Sequence, residues 1–190
     1  MGKAIGILTT LLLAAIATDG SAAEPAPDLS TTQELIGIAT YWDFTVNPFP
    51  GVEEPEISVY VALAQPANTV ITPVPDGCDS AADAFGKGLR IWVDESTMEA
   101  LSAPQSSDPI IIQPVAVAFA GEAAYGIVEA FGDDFVELLA MYDTEGGAEA
   151  MRRFGVASGT AIAYPLEIGA PCYIVYDAAD VALMIMLTNG

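Results

Sequence analysis

The fold class of this 190-residue chain is decided by two neighbouring stretches, Gly121-Glu-Ala-Ala-Tyr-Gly-Ile-Val-Glu-Ala-Phe131 and Asp134-Phe-Val-Glu-Leu-Leu-Ala-Met-Tyr142. The first stretch is followed by Gly132, a residue typical of helix C-termini. The second has the periodicity of an amphipathic helix, with an apolar face made of Phe135, Leu138, Leu139 and Tyr142. The pattern predicts two consecutive helices, and for the whole chain a sheet with helices packed against it.

The segments before these helices alternate between strand and helix. Residues 89–93 form a predicted strand, after which Asp94 caps a short helix that runs to about Ala103 and stops before Pro104. Residues 110–118 are almost uniformly apolar, which is typical of a central strand.

The segments after them continue the alternation. A short helix over residues 148–154 ends at Gly155. Two strands then follow, at residues 172–176 and 181–187, joined by a tight connection around residues 177–180.

The first half of the chain is predicted to be mainly strand. Residues 57–63 alternate between larger apolar side chains and smaller or polar ones, as in a half-buried strand. Residues 70–74 form a second strand, which Pro73 places at a sheet edge. Ser30 and Gln33 have the spacing of a capping box, which favours a short helix. Residues 36–46 suit a strand equally well.

These elements predict an α+β or mixed α/β fold. Residues 31–190 are interpreted as a single globular three-layer domain built on a mixed sheet. No internal repeat is visible in the sequence.

Residues 1–23 are predicted to be a cleaved signal peptide. Lys3 supplies a positive charge, an apolar stretch of about 12 residues follows, and Ser21-Ala22-Ala23 offers a small-residue cleavage site. The apolar stretch is shorter than the roughly 20 residues of a membrane-spanning helix. Cleavage after Ala23 leaves a loose, proline-bearing spacer at residues 24–30 and sends the protein to the periplasm or the medium. An uncleaved anchor is the alternative.

The charge of the chain restricts its partners. The formal net charge is −21, from 26 acidic and 5 basic residues. Removal of Lys3 and Asp19 with the signal leaves 25 acids and 4 bases, again −21. Such a surface repels nucleic acids and anionic lipids, so we expect neither nucleic-acid binding nor stable membrane insertion after cleavage. A solvated acidic surface and a cationic partner both fit the charge.

The chain contains no histidine, which excludes histidine-based triads and histidine-ligated metal sites. No cofactor or nucleotide motif is present either, and no residue is assigned a catalytic or metal-binding role. Paired carboxylates remain available for glycoside hydrolysis. Two acidic groups are candidate calcium ligands, with solvated surface acids as the alternative, namely Asp133 with Asp134, and Asp76 with Asp79 and Asp83.

Cys78 and Cys172 are the only cysteines. In an exported chain such a pair most simply forms one disulfide, which would tie the first half of the chain to the second. A structural bridge and an exchangeable one are both compatible with the sequence.

Two other groups of side chains are candidates for binding. The aromatic residues around residues 41–50 form either a partner-binding patch or part of the core. For the adjacent pair Arg152 and Arg153, we expect salt bridges with nearby acids. The aromatic candidates are Tyr41, Trp42, Phe44 and Phe49.

The segment Gly169-Ala-Pro-Cys-Tyr-Ile-Val-Tyr-Asp177 resembles the strand of thioredoxin-like proteins that begins at a cis-proline and turns into a hairpin. Arg153-Phe-Gly-Val156 resembles the segment that usually precedes that strand in the family. The Cys-x-x-Cys dithiol of the family is absent, and Ser96-Thr-Met98 stands near its place. The chain also stops at Gly190 without the family's final helix. The resemblance therefore implies a redox-inactive periplasmic scaffold, similar to the thioredoxin-like assembly proteins of conjugation systems.

The resulting functional prediction is an acidic, exported envelope protein that acts by protein binding or assembly and not by catalysis, with another envelope protein as partner. The alternative is a carboxylate-dependent hydrolase that acts on envelope glycans.

Overall fold

The computed structural model describes residues 27–42, 57–103, 109–143 and 150–188. Within these ranges the chain forms ten strands, one α-helix and a single turn of 3-10 helix at Ala81–Asp83. The strands and the helix are β1 (Gln33–Trp42), β2 (Ser58–Leu63), β3 (Thr69–Pro73), β4 (Gly88–Val93), α1 (Glu95–Ser102), β5 (Ile110–Ile111), β6 (Ala116–Phe131), β7 (Phe135–Asp143), β8 (Ala150–Ile162), β9 (Pro171–Tyr176) and β10 (Val181–Leu187). The predicted signal peptide lies outside the described residues.

Strands β6 to β10 close into a ring, called here the second barrel. β6 pairs antiparallel with β7, and β7 with β8. β8 then pairs in parallel with β10, β10 antiparallel with β9, and β9 antiparallel with β6 again. The buried interior includes Val128, Leu138, Phe154, Ile174 and Ile185.

Strands β1 to β5 and the start of β6 close into another ring, which precedes the second barrel along the chain and is called here the first barrel. Its strands pair in the same order as those of the second barrel. β1 pairs antiparallel with β2 and β4, and β2 pairs antiparallel with β3. β3 pairs in parallel with β5, and the chain then continues into β6, whose residues Ala116 to Gly121 pair antiparallel with β4. Leu101 of α1 is buried in the interior.

The two barrels share strand β6. Its first residues pair with β4 of the first barrel, and from Glu122 onward it pairs with β9 and then β7 of the second barrel. A further buried cluster fills the contact between the barrels, with Ile38 and Ala64 from the first and Ala123, Val175 and Met184 from the second. The side-chain amide of Gln65 also donates a 2.9 Å hydrogen bond to the carbonyl of Ile162.

The predicted helices at residues 121–131, 134–142 and 148–154 are wrong, because residues 121–131, 135–142 and 150–154 belong to β6, β7 and β8. In the middle of β6, Ala124 and Val128 point into the second barrel, whereas Ala123 and Tyr125 face the first barrel. Both sides of this part of the strand are therefore covered, and no polar alternation appears there. Burial in the sheet therefore outweighs local propensity. In β7 the outward side chains of Leu139 and Met141 hide the alternation in the same way.

The predicted three-layer α+β fold and the thioredoxin-like resemblance are wrong for the same reason, since strands take the place of the helices that this fold needs. The hairpin that carried the resemblance exists as β9 and β10, but β9 also pairs with β6 in a closed barrel. The open choice at β1 is settled as a strand. The predicted strands at residues 57–63, 70–74, 89–93, 172–176 and 181–187 are confirmed within a residue or two.

The predicted α1 is also confirmed. The carboxylate of Asp94 accepts a 2.7 Å hydrogen bond from the backbone N–H of Thr97. This bond satisfies one of the free N–H groups at the helix N-terminus.

Two glycines face each other where the barrels meet, because Gly88 of β4 pairs with Gly121 of β6. A Cβ at Gly88 would overlap the Val175 side chain, and a Cβ at Gly121 would overlap the backbone carbonyl of Tyr176. Both contacts join the first barrel to β9 of the second. The close approach of the barrels therefore depends on the absence of side chains at these two positions.

We predict that Gly121→Ala destabilises the protein by about 1–3 kcal/mol, because the backbone of Tyr176 cannot move without disturbing the β6–β9 pairing. Gly159→Ala in β8 is the matched control, since a Cβ there meets nothing within 4 Å. Its effect should stay within about 0.5 kcal/mol. Urea unfolding of both variants measures the difference, and equal midpoints would contradict the close contact.

Candidate functional site

Each barrel is an OB-fold, a five-stranded Greek-key barrel in which the first strand pairs with the second and fourth and the third pairs in parallel with the fifth. OB-folds commonly bind ligands on the outer face of their second and third strands. In this chain a cleft lies at a different place, at the junction of the two barrels.

One wall of the cleft is a row of tyrosines from the second barrel. Tyr125 of β6 lies directly opposite Tyr173 of β9 on one side and Tyr142 of β7 on the other. The ring centroids of Tyr125 and Tyr173 are 4.8 Å apart, with an interplanar angle of 41°. We call these three residues the tyrosine row.

A β-bulge brings Tyr142 into the tyrosine row. Leu138 and Ala140 of β7 point into the barrel, so strict alternation would place Tyr142 on the same inner side. The register instead shifts between Ala140, which pairs with Gly126, and Tyr142, which pairs with Tyr125. The extra residue turns Tyr142 outward, where 46% of its surface is exposed.

The other wall of the cleft comes from the first barrel and consists of Ile38, Ala39 and Thr40 of β1 with Phe85 and Gly86. The backbone N–H of Gly86 donates a 2.8 Å hydrogen bond to the carbonyl of Ala39, and the N–H of Ala39 donates a 3.1 Å bond to the carbonyl of Lys87. These bonds fix the Phe85–Gly86 turn against β1. Gly86 has a φ of +75°, and a Cβ there would lie 3.1 Å from the Tyr142 hydroxyl.

The cleft has a volume of about 220 Å³ and is partly open to solvent. Within the described lining, the side-chain polar groups are the three phenol hydroxyls and the hydroxyl of Thr40. Burial raises the pKa of Tyr173, and the neighbouring Tyr125 adds to this effect. The Tyr173 hydroxyl therefore remains a protonated hydrogen-bond donor at neutral pH.

The cleft suits binding better than acid–base catalysis or metal chemistry. Among the described residues that line it, none is a carboxylate, a cysteine or a basic residue. No group of three or more potential metal ligands occurs within the described parts of the chain. What the arrangement offers is aromatic surface with a few hydroxyls beside it.

The sequence pattern does not reveal the tyrosine row, because it predicts helices over residues 121–131 and 134–142. An alternating strand pattern would have found Tyr125 and Tyr173, but the bulge hides Tyr142. The aromatic residues that were proposed as a partner-binding patch remain untested. Phe44 and Phe49 lie outside the described residues, as do the side chains of Tyr41 and Trp42, whose backbones end β1 directly after Thr40 of the cleft.

The candidate calcium ligand Asp83 has a structural role. Its carboxylate accepts hydrogen bonds from the backbone N–H groups of Asp79 and Ser80, at 3.0 and 2.8 Å, and from the Ser80 hydroxyl at 3.1 Å. The bonds from Ser80 lower the pKa of Asp83. The side chain thus caps the short 3-10 helix that begins at Ala81. The other pair, Asp133 and Asp134, lies in the turn between β6 and β7.

The two arginines form separate salt bridges on opposite sides of β8. Arg152 contacts Asp180 at 2.6 Å, and its guanidinium lies 5.2 Å from the ring centroid of Tyr176. Arg153 contacts Glu137 at 3.0 Å and lies 3.9 Å from the ring centroid of Phe135. The assignment of both residues to salt bridges is confirmed.

Cys78 and Cys172 are free thiols in the structure, so the expected disulfide is not formed here. Cys172 points into the core of the second barrel, whereas Cys78 lies between β3 and β4 of the first. Burial raises the pKa of the Cys172 thiol to about 12. Burial, followed by the charge of Asp83, also raises the pKa of Cys78.

None of the helices in the described residues has the length and hydropathy to cross a membrane.

No protein-family model and no curated protein matches the chain. Among solved structures, the chain is similar to a Cu(II) form of a tryptophan variant of CusF from Escherichia coli, with 13% identity and a TM-score of 0.30 over 36% of this chain and 91% of that one.

A second similar structure is the CSD456 part of drosophila Unr, with 11% identity and a TM-score of 0.27 over 83% of this chain and 62% of that one. Both TM-scores are low. The OB-fold assignment therefore depends on the strand pairings and not on these likenesses.

We predict that the denatured, unreduced protein contains two reactive thiols and that Cys172 is protected in the native protein. A pKa of about 12 against 9.0 leaves roughly 1,000-fold less thiolate at neutral pH than an ordinary cysteine has. Native Cys78→Ser protein should therefore react with a thiol reagent only at its unfolding rate. Absence of titratable thiols in the denatured, unreduced protein would contradict the structure and restore the disulfide.

Proposed function

We propose that this protein is an exported, non-enzymatic binding protein that holds a segment of a partner protein in the cleft between its two OB-folds. The tyrosine row carries this proposal. Tyrosine supplies a large contact area with two side-chain torsions to fix, and it is enriched among the residues that dominate binding energy. Three tyrosines from three adjacent strands are held on a closed barrel, so little flexibility is lost when they bind.

The size of the cleft supports a segment of a larger partner. Its volume of about 220 Å³ is below the roughly 300–1,000 Å³ of pockets that enclose a whole small molecule. A short stretch of extended chain can fill such a space while the rest of the partner contacts the surrounding surface. The bulge at Met141 supports a role for the site as well, because bulges often direct a side chain toward a functional position.

The export signal and the charge fit a binding role in the envelope or outside the cell. Residues 1–23 carry the features of a cleaved signal peptide. A net charge of −21 disfavours nucleic acid, the ligand of many OB-folds, and favours partners with basic surfaces. A glycan hydrolase receives no support from the cleft, because that chemistry needs two facing carboxyl groups and the part of the lining that the structure describes contains none.

The test compares the Tyr142→Ala and Tyr164→Ala variants. The two tyrosines are 46% and 45% exposed, but Tyr164 lies in the loop between β8 and β9 and is not among the lining residues of the cleft. Each secreted, tagged protein is incubated with envelope extract, and the proteins it captures are quantified. We expect Tyr142→Ala to lose capture of a specific partner, by about tenfold or more if Tyr142 is a hot spot.

Tyr164→Ala should capture the partner as the original protein does, and thermal melts of the two variants should agree. Equal capture by the Tyr142→Ala variant would contradict the cleft as the binding site. Glycan turnover that is abolished by one carboxylate substitution would contradict the non-enzymatic role.

A further inference from the structure

We propose that the ligand of the cleft is a proline-rich segment in the polyproline II conformation, flanked by basic residues. This inference rests on the proposed function and specifies its ligand. It follows from the spacing of the tyrosine row, from the hydrogen bonds that the cleft can make, and from the charge of the chain.

The spacing of the row matches the polyproline II repeat. Tyr142, Tyr125 and Tyr173 stand on three adjacent strands, so the row crosses two strand spacings, about 9.5 Å in total. A polyproline II helix completes one turn in three residues, or about 9.3 Å. A segment that runs along the row, across the strands, would therefore place equivalent proline rings against the first and the last tyrosine.

The hydrogen-bonding groups of the cleft favour a ligand that needs few acceptors. The backbone N–H groups of Ala39 and Gly86 are already bonded to backbone carbonyls, as described above. The phenol hydroxyls make no hydrogen bond to another described residue. They can donate to carbonyl groups, and proline residues present carbonyls without any N–H. An ordinary peptide would bring N–H groups as well. These groups would lose their hydrogen bonds to water and would find few acceptors in the cleft to replace them.

A glycan is less suited to the same surface. A sugar ring can stack on tyrosine, but its many hydroxyl groups need donors and acceptors of both kinds. The side chains of its described lining residues offer four hydroxyls and no carboxylate, amide or basic group. Several sugar hydroxyls would remain unpaired after losing water, which costs free energy.

The charge of the chain favours basic flanks. After removal of the signal peptide the chain keeps 4 bases against 25 acids, from 5 minus Lys3 and 26 minus Asp19. Lysine or arginine on either side of the proline segment would be attracted to this surface and would speed association. The attraction should weaken as salt is added. The apolar contact with the tyrosines should remain.

The experiment titrates the secreted protein with four synthetic probes by calorimetry. The first is a run of prolines flanked by lysines, and the second replaces the prolines by alanines. The third keeps the prolines but has glutamate flanks, and the fourth is a soluble oligosaccharide. We expect the first probe to bind at least about tenfold more tightly than each of the others, a difference of about 1.4 kcal/mol. Tyr142→Ala should weaken it by a similar factor, and Tyr164→Ala should not.

Hydroxyl removal tests the hydrogen bonds separately. Tyr125→Phe and Tyr173→Phe keep the aromatic surface, so they should fold normally and still lose part of the affinity, about 2- to 10-fold each. Unchanged affinity in both variants would contradict donation to the proline carbonyls.

The remaining outcomes separate this inference from the proposed function. Equal binding of the alanine probe, or no binding of any probe while Tyr142-dependent capture from extract persists, would overturn the proline ligand and leave the binding role intact. Tyr142-dependent binding of the oligosaccharide would overturn both the proline ligand and the protein partner. Loss of all binding, with no Tyr142-dependent capture, would overturn the cleft as a site altogether.

Discussion

Strand β6 pairs with β4 over its first residues and with β9 and β7 over the rest, so its hydrogen bonds belong to both barrels. The barrels cannot separate without breaking one of these sets of bonds. Their relative position is fixed further by the glycine contact at Gly88 and Gly121 and by the buried cluster around Ile38 and Val175. The cleft exists because this arrangement holds β1 and the Phe85–Gly86 turn opposite the tyrosine row.

The two barrels have the same strand order but differ in the segment that covers the interior, which is a helix in the first barrel and a loop in the second. In the first barrel the helix α1 fills part of the interior with Leu101, and Met98 packs beside it. In the second barrel the loop between β8 and β9 covers the interior with Leu166. The same pairing scheme is thus built from sequences with no visible repeat. Any apolar residues of suitable size can fill a barrel, provided that the strands register correctly.

The sequence predicts the strands that have one covered face. Residues 57–63 and α1 with its Asp94 cap are examples, since periodicity and capping are local signals. β6 could not be predicted this way, because the middle of its second face packs against the first barrel and apolar residues occupy both faces there. The position of Tyr142 in the site could not be predicted for another reason. A bulge turns its side chain to the outer face of β7, and nothing in the sequence marks the bulge. The contacts that make the site are long-range, and the local pattern does not contain them.

The most direct measurement is the set of cross-strand contacts of β6 by NMR. We expect short distances from Ala118 to Arg90, and from Tyr125 to both Tyr173 and Tyr142. Together they would show one strand shared by two barrels and the tyrosines aligned in one row. Contacts between residues three and four apart along 121–131, with none across strands, would show the helix that the local sequence pattern indicates. That result would contradict the shared strand and the cleft.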